Sequence, residues 1–294
     1  MRSDHSTGKA VTTRWYRLCS LKAGTGCCSL FTLTAVQELP SLYDALPEPP
    51  VLLGLGTNLV GSDKTEQKSV LRLAASGDFA QIRPVGKGCF EIGCAWPLSR
   101  LLTRMAGQGW GGLSALAGIP GTLGGALAMN AGAMGRQISQ FVNHIRGWDW
   151  STGQEWQWEK STGGWGYRQS PLPATVLALY ATVQFQQAEP HTERELLQAE
   201  WLRRRSVTPG GASAGSVFCN PEHAPPAGLL LEQAGCKGLS AGVFAVSQQH
   251  ANWIVNCSRQ PGRAQDCMAL VEEMRTRVQK RFAIDLRCEW RWAD

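Results

Sequence analysis

Apolar positions follow a helical rhythm over residues 34–46 (TAVQELPSLYDAL), which Pro40 interrupts and Pro47, Pro49 and Pro50 end. Val51, Leu52 and Leu53 then form a short apolar strand running into Gly54-Leu55-Gly56-Thr57-Asn58-Leu59, and residues 69–73 form another. Residues 79–95 (FAQIRPVGKGCFEIGCA) alternate as a hairpin around Gly86-Lys87-Gly88. Pro97 opens a helix to about Gly107, with Leu98, Leu101, Leu102 and Met105 on one face. A second hairpin spans 144–158 around Ser151-Thr152-Gly153. Its tryptophans, Trp148, Trp150, Trp156 and Trp158, predict one covered sheet face; the positions between them are not basic, which argues against a platform for bases. Further along, the pattern predicts a strand over 175–186 and a helix over 192–206 ending in Arg203-Arg204-Arg205. A short helix near 227–234 and strands near 241–246 and 252–256 follow. A long amphipathic helix over about 263–281 and a final strand over 284–292 complete the chain, and no internal repeat is present.

With 294 residues the chain is long enough for two or three domains and a sizeable core. Hydrophobic residues at 43% and charged residues at 18% are a globular balance. No apolar run approaches the length that spans a bilayer, and the opening MRSDHSTGKAVTTR lacks the apolar segment of a secretory signal. The ten cysteines contain no CxxC pair, so they are expected as reduced thiols in a cytoplasmic protein without a metal. A net charge of +6 suits an anionic ligand and decides little alone.

The most distinctive chemistry lies in residues 112–135, GLSALAGIPGTLGGALAMNAGAMG, with seven glycines and no charge. Such backbone suits close approach by a large, flat, phosphorylated cofactor, or else a close-packed helix pair. A linker would not interleave Leu113, Leu116, Ile119, Leu123, Leu127 and Met129. Gly54 to Asn58 is not a dinucleotide fingerprint, because the sixth position is Leu59 and no crossover helix follows. It is a phosphate-cradling turn of another kind, or simply a turn. Ser216, in Gly215-Ser216-Val217-Phe218-Cys219-Asn220-Pro221, is either a positioned proton donor or a capping serine. It lacks the GxSxG elbow of a serine hydrolase. Arg168, in Tyr167-Arg168-Gln169-Ser170, is a carboxylate clamp or a surface arginine.

GLGTNL, GIPGTLGGALAMNAGAMG, GYRQS, AGSVFCNP, AGCKG, VSQQHANWIVN and LRCEWR stand in the order and approximate spacing of one family. From about Leu21 to Arg291 the chain resembles the UDP-N-acetylenolpyruvoylglucosamine reductases, flavoenzymes of peptidoglycan precursor synthesis. The compact stretch 166–185 is similar to the family's shorter, type II branch. The resemblance implies an α+β fold in three parts. Two FAD-binding subdomains of the vanillyl-alcohol-oxidase type (PCMH) would span 1–74 and 75–202, and a substrate-binding α+β domain 203–294. It implies NADPH-dependent, FAD-mediated reduction of UDP-N-acetylglucosamine enolpyruvate to UDP-N-acetylmuramate by a cytoplasmic monomer without nucleic-acid or membrane partners.

By resemblance, FAD is held by Gly54, Leu55, Gly56, Thr57, Asn58 and Leu59, by Gly118, Ile119, Pro120, Gly121, Thr122, Gly124 and Gly125, and by Asn130, Ala131 and Gly132. Arg168 matches the arginine that grips the substrate carboxylate. Glu289 matches an acid that polarises the same group, which implies a raised pKa. Ser216 matches the serine that protonates the carbanion. Tyr167, Asn220 and His250 match substrate contacts. Cys219 stands where the family usually has a basic residue, and Arg203, Arg204 or Arg205 would have to compensate. The early turn Thr25-Gly26-Cys27-Cys28 and the closing Glu289-Trp290-Arg291-Trp292-Ala293-Asp294 also depart from the family pattern. The alternatives are a flavin oxidase of the same fold and a flavin- or nucleotide-binding homologue without catalysis.

Overall fold

The computed structural model describes residues 10–258 and 260–293, so residues 1–9 of the polar opening stretch lie outside the described residues. The chain divides into two compact units. One is built mainly from Ser29–Leu55 and Lys68–Arg204, the other from Thr12–Cys28, Gly56–Gln67 and Arg205–Asp294.

In the first unit, Val51–Leu53 runs parallel to Lys68–Leu73, which neighbours Cys27–Leu33 on its other side. A second, antiparallel sheet has the order Gln154–Glu159, Val142–Asp149, Val176–Gln184, Cys89–Gly93, Ile82–Gly86. Its middle strand, VLALYATVQ, is apolar without alternation because both of its faces are covered. One face meets Leu33, Leu39, Leu42, Leu71 and Phe79, partly through helix α1 (Leu39–Ala45). The other packs on helices α2 (Leu98–Gly107) and α3 (Leu123–Ala128), through Leu98, Leu101, Met105, Leu123 and Leu127. α2 buries the face that its spacing predicts. Helix α4 (Pro190–Val207) ends the unit.

The second unit centres on an antiparallel sheet in the order Ala212–Ser216, Trp253–Asn256, Phe244–Val246, Ser240–Ala241. Helices α5 (Ala227–Gln233) and α6 (Ala264–Phe282) contribute Leu230, Leu231, Leu270, Met274 and Val278 to a core with Phe218, Phe244 and Ile254.

Two expectations change. The four tryptophans do not share a face: Trp156 opposes Gly147, whereas Trp148 opposes Glu155. Side chains alternate with period two, so this register sends Trp148 and Trp150 into one cluster and Trp156 and Trp158 into another. The expected strand over 284–292 is regular only at Arg291–Trp292. The chain there passes from one partner segment to another: Arg287 O accepts from Cys219 N–H and Glu289 N–H donates to Val217 O, after which Arg291 N–H donates to Asn58 O. A partner that changes in mid-run divides the expected strand into two short pairings.

Candidate active site

Ser216 ends its strand beyond a bulge. Ser213 pairs with Val255 but Ser216 with Trp253, which leaves one extra residue between them. Gly215 supplies the left-handed backbone, at φ +80°, that carries the chain through the irregularity. Val217 N–H then donates to Asn252 O at 3.0 Å, and Val217 O accepts from Glu289 N–H at 2.8 Å. The amide of Asn58 donates to Glu289 O at 3.0 Å, and Arg291 N–H donates to Asn58 O at 3.0 Å. The second unit therefore brings together Ser216, Glu289 and the turn that starts at Gly56. Both Ser216 and Glu289 are half-buried.

Asn220 and His250 belong to the same unit. Asn220 is exposed, and its Oδ1 accepts from Ala227 N–H at the start of α5 (3.0 Å). His250 Nδ1 accepts from Asn252 N–H at 3.1 Å. Burial, then the Lys237 charge, lowers the imidazole below its ordinary pKa and favours the neutral ring.

Arg168 lies in the first unit, within a tight turn closed by Gly166 N–H to Gln169 O (3.1 Å) and Gln169 N–H to Gly166 O (3.0 Å). Its φ of +54° is costly for a side-chain-bearing residue and persists because the surroundings fix it. Asn130, 1% exposed and itself at φ +40°, donates to Gly166 O at 2.8 Å and accepts from Ser139 N–H at 3.3 Å. Arg168 Nη1 donates to Gly132 O at 3.3 Å. The 130–132 segment and the Arg168 turn are thus one hydrogen-bonded assembly, beside which Tyr167 stands exposed.

The two glycine motifs converge as well: a Cβ on Gly54 would lie 2.9 Å from Thr122 Oγ1. Thr122 caps α3 by accepting from Gly125 N–H at 3.1 Å. The N–H groups of Leu123 and Gly124 are taken by Trp96 O and Cys94 O. Among the described residues nothing accepts from the N–H groups of Gly118, Gly121 or Thr122. Unused donors on a glycine-rich turn fit a cofactor pyrophosphate. Arg204, near the end of α4, lies against this loop, for a Cβ on Gly118 would sit 3.0 Å from its Cδ. Burial, then the charges of Arg203 and Arg168, pulls its guanidinium below the usual arginine range. Its Nε is buried without a partner among the described residues.

The model for the C-terminal domain of UDP-N-acetylenolpyruvoylglucosamine reductase matches residues 208–293, and an FAD-binding-domain model matches residues 32–154. A UDP-N-acetylenolpyruvoylglucosamine reductase of Syntrophobacter fumaroxidans is 35% identical over 247 residues, covering 83% of this chain and 70% of that protein. The chain belongs to the UDP-N-acetylenolpyruvoylglucosamine reductase family. Reductase 2 of Symbiobacterium thermophilum is also 35% identical, over 82% of this chain and 77% of its own length. The crystal structure of the reductase of Thermus caldophilus superposes with a TM-score of 0.82 at 29% identity, covering 98% of this chain and all of that one. The fold is accordingly an α+β FAD-binding part of the PCMH type joined to the reductase C-terminal domain. As a family member the chain is an FAD-dependent oxidoreductase that uses FAD and NADPH.

The reductase motifs in the sequence marked Ser216, Arg168 and Glu289, but not which of Arg203, Arg204 and Arg205 approaches the glycine-rich loop. The structure separates the three. Arg203 is exposed and ion-paired with Glu200, Arg205 belongs to the other unit, and Arg204 approaches Gly118. Helical phase decides this, and a run of three arginines does not reveal it.

Proposed function

We propose that this reductase converts UDP-N-acetylglucosamine enolpyruvate to UDP-N-acetylmuramate, with NADPH as reductant and FAD as intermediary, through Ser216, Arg168 and Glu289. Bound flavin would accept hydride from the nicotinamide and supply it to the methylene end of the enolpyruvyl double bond. Gly54 to Leu59, Gly118 to Gly125 and Asn130 to Gly132 would hold it, the unused N–H groups of Gly118, Gly121 and Thr122 facing its phosphates. Arg168 grips the substrate carboxylate and stabilises the charge that develops there, since a fixed fork of donors does so better than water. Glu289 polarises the same carboxylate through a shared proton. Ser216 Oγ delivers the proton to the carbon bearing the carboxylate; a weak acid suffices because that carbanion is a strong base. Tyr167, Asn220 and His250 serve as further substrate contacts, and Arg204 lies against the glycine-rich loop at Gly118.

The observation that carries this reading is the join between the Ser216 strand and Glu289 at Val217 O, with Asn58 bound to Glu289 O. The three-part division at 74/75 and 202/203 is supported by the two separate sheets within the first unit. A cytoplasmic location fits the ten free cysteines.

A Ser216→Ala protein tests the assignment. NADPH should bleach its flavin normally, while reoxidation by substrate slows about 10²–10⁴-fold. Unimpaired turnover would remove Ser216 from the chemistry. Bleaching by an alcohol, and not by NADPH, would favour the oxidase.

A further inference from the structure

Asn252 is 4% exposed and carries no catalytic assignment above, yet its side chain takes the place of a strand. Its Oδ1 accepts from Phe218 N–H at 2.9 Å, and its Nδ2 donates to Phe218 O at 2.8 Å. Its own carbonyl accepts from Val217 N–H at 3.0 Å. An antiparallel neighbour makes such paired bonds with its backbone. Here a side-chain amide continues them past Ser216, where the regular ladder ends. The opposite edge of the same dipeptide is taken by the closing segment: Val217 O by Glu289 N–H, with Phe218 opposing Cys288. Val217-Phe218 is therefore gripped on one edge by Asn252 and on the other by the chain that carries Glu289.

Gly215 sharpens the need for this grip. At φ +80° it holds a backbone conformation that glycine adopts readily and other residues do not, immediately before Ser216. The backbone there is restrained on its near side by Trp290 Nε1, which donates to Gly215 O at 3.4 Å. On its far side, at Phe218, the restraint is Asn252.

We infer that Asn252 is a positioning residue for proton delivery, fixing where Ser216 stands relative to Glu289 through the Phe218 peptide. The inference rests on the Ser216 assignment, and the half-reactions distinguish failure of one from failure of the other. An ångström of misplacement costs up to about 10² in rate, so Asn252→Ala should slow flavin reoxidation by substrate about 10–100-fold. Reduction by NADPH should stay within about twofold. In a Ser216→Ala background, Asn252→Ala should add less than about twofold, because residues acting as one unit are not additive. Met274→Ala, a truncation on α6 in the same core, is the stability control: it should lower the melting temperature without splitting the half-reactions. Should Asn252→Ala not fold, Asn252→Asp keeps the acceptor for Phe218 N–H, loses the donor, and should show a smaller split of the same sign.

Equal loss in both half-reactions overturns the proposal, as does a full additional loss on top of Ser216→Ala. Normal turnover by Ser216→Ala alone removes the Ser216 assignment, and the role of Asn252 falls with it.

Discussion

At the scale of single residues, the candidate chemistry splits into side chains visible as motifs and side chains visible only by their surroundings. Ser216 and Arg168 stand in runs whose glycines and turn residues announce unusual backbone, and Gly215 and Arg168 do take left-handed conformations. Asn252 and Arg204 give no such signal. A buried asparagine reads like any polar residue near a strand, and its value comes from meeting Phe218, far off in sequence. Arg168 also carries a prediction. Lysine would take the same backbone at the same conformational cost while replacing a fork of donors by a point charge. Arg168→Lys should therefore lower kcat/KM for the enolpyruvyl substrate about 10²–10³-fold and leave NADPH-driven bleaching intact, as read by stopped-flow absorbance. Loss of both half-reactions would instead make Arg168 a fold residue that holds Gly132.

At the scale of elements, periodicity located the longer helices and the hairpins, passed over the strands Cys27–Leu33 and Ala212–Ser216 and helix α3, and failed where facing depends on a partner. The hairpin over 144–158 was legible, but the faces of its tryptophans were not, since register parity is set across the sheet and not along the strand. α4 shows the same limit. It reads as a polar helix, yet Glu193 in its first turn is 6% exposed and accepts from Gly112 N–H at 3.2 Å. A Cβ on Gly111 would come within 2.3 Å of that carboxyl group, so a larger residue there would displace the Glu193 side chain. Burial pushes the Glu193 carboxyl up from its ordinary 4.5, opposed by the Gly112 amide. A raised carboxyl contributes stability fully below pH 4.5 and loses it as pH rises through the folded value. Glu193→Gln keeps an acceptor for Gly112 and should flatten that loss above pH 4.5 in urea melts taken across pH. Glu193→Ala leaves the amide unsatisfied and should cost about 1–3 kcal/mol. An unchanged pH profile in Glu193→Gln would show that the buried carboxyl is not the group responsible.

At the scale of the whole molecule, the chain enters the second unit three times, in Thr12–Cys28, Gly56–Gln67 and Arg205–Asp294. No local pattern reveals such interleaving, because the first two visits are short segments whose partners lie far away in sequence. Asp63 fastens the three visits together. Its Oδ1 accepts from Thr25 N–H at 2.8 Å and from the Thr25 hydroxyl at 3.0 Å, and its Oδ2 accepts from Gln265 N–H at 3.0 Å. Burial alone would raise this carboxyl. The backbone amides of Thr25, Gln265 and Ala264, with the Thr25 hydroxyl, outweigh it and hold the group below its ordinary 3.8. A depressed carboxyl contributes stability above pH 3.8 that disappears as pH falls through the folded value. Asp63→Asn retains one acceptor and loses the charge that strengthens every bond, so it should cost about 1.5–3 kcal/mol near neutrality. The gap from wild type should narrow as both are acidified below pH 4 in denaturant melts. If the gap held constant down to pH 2, the Asp63 charge would contribute nothing to holding the second unit together.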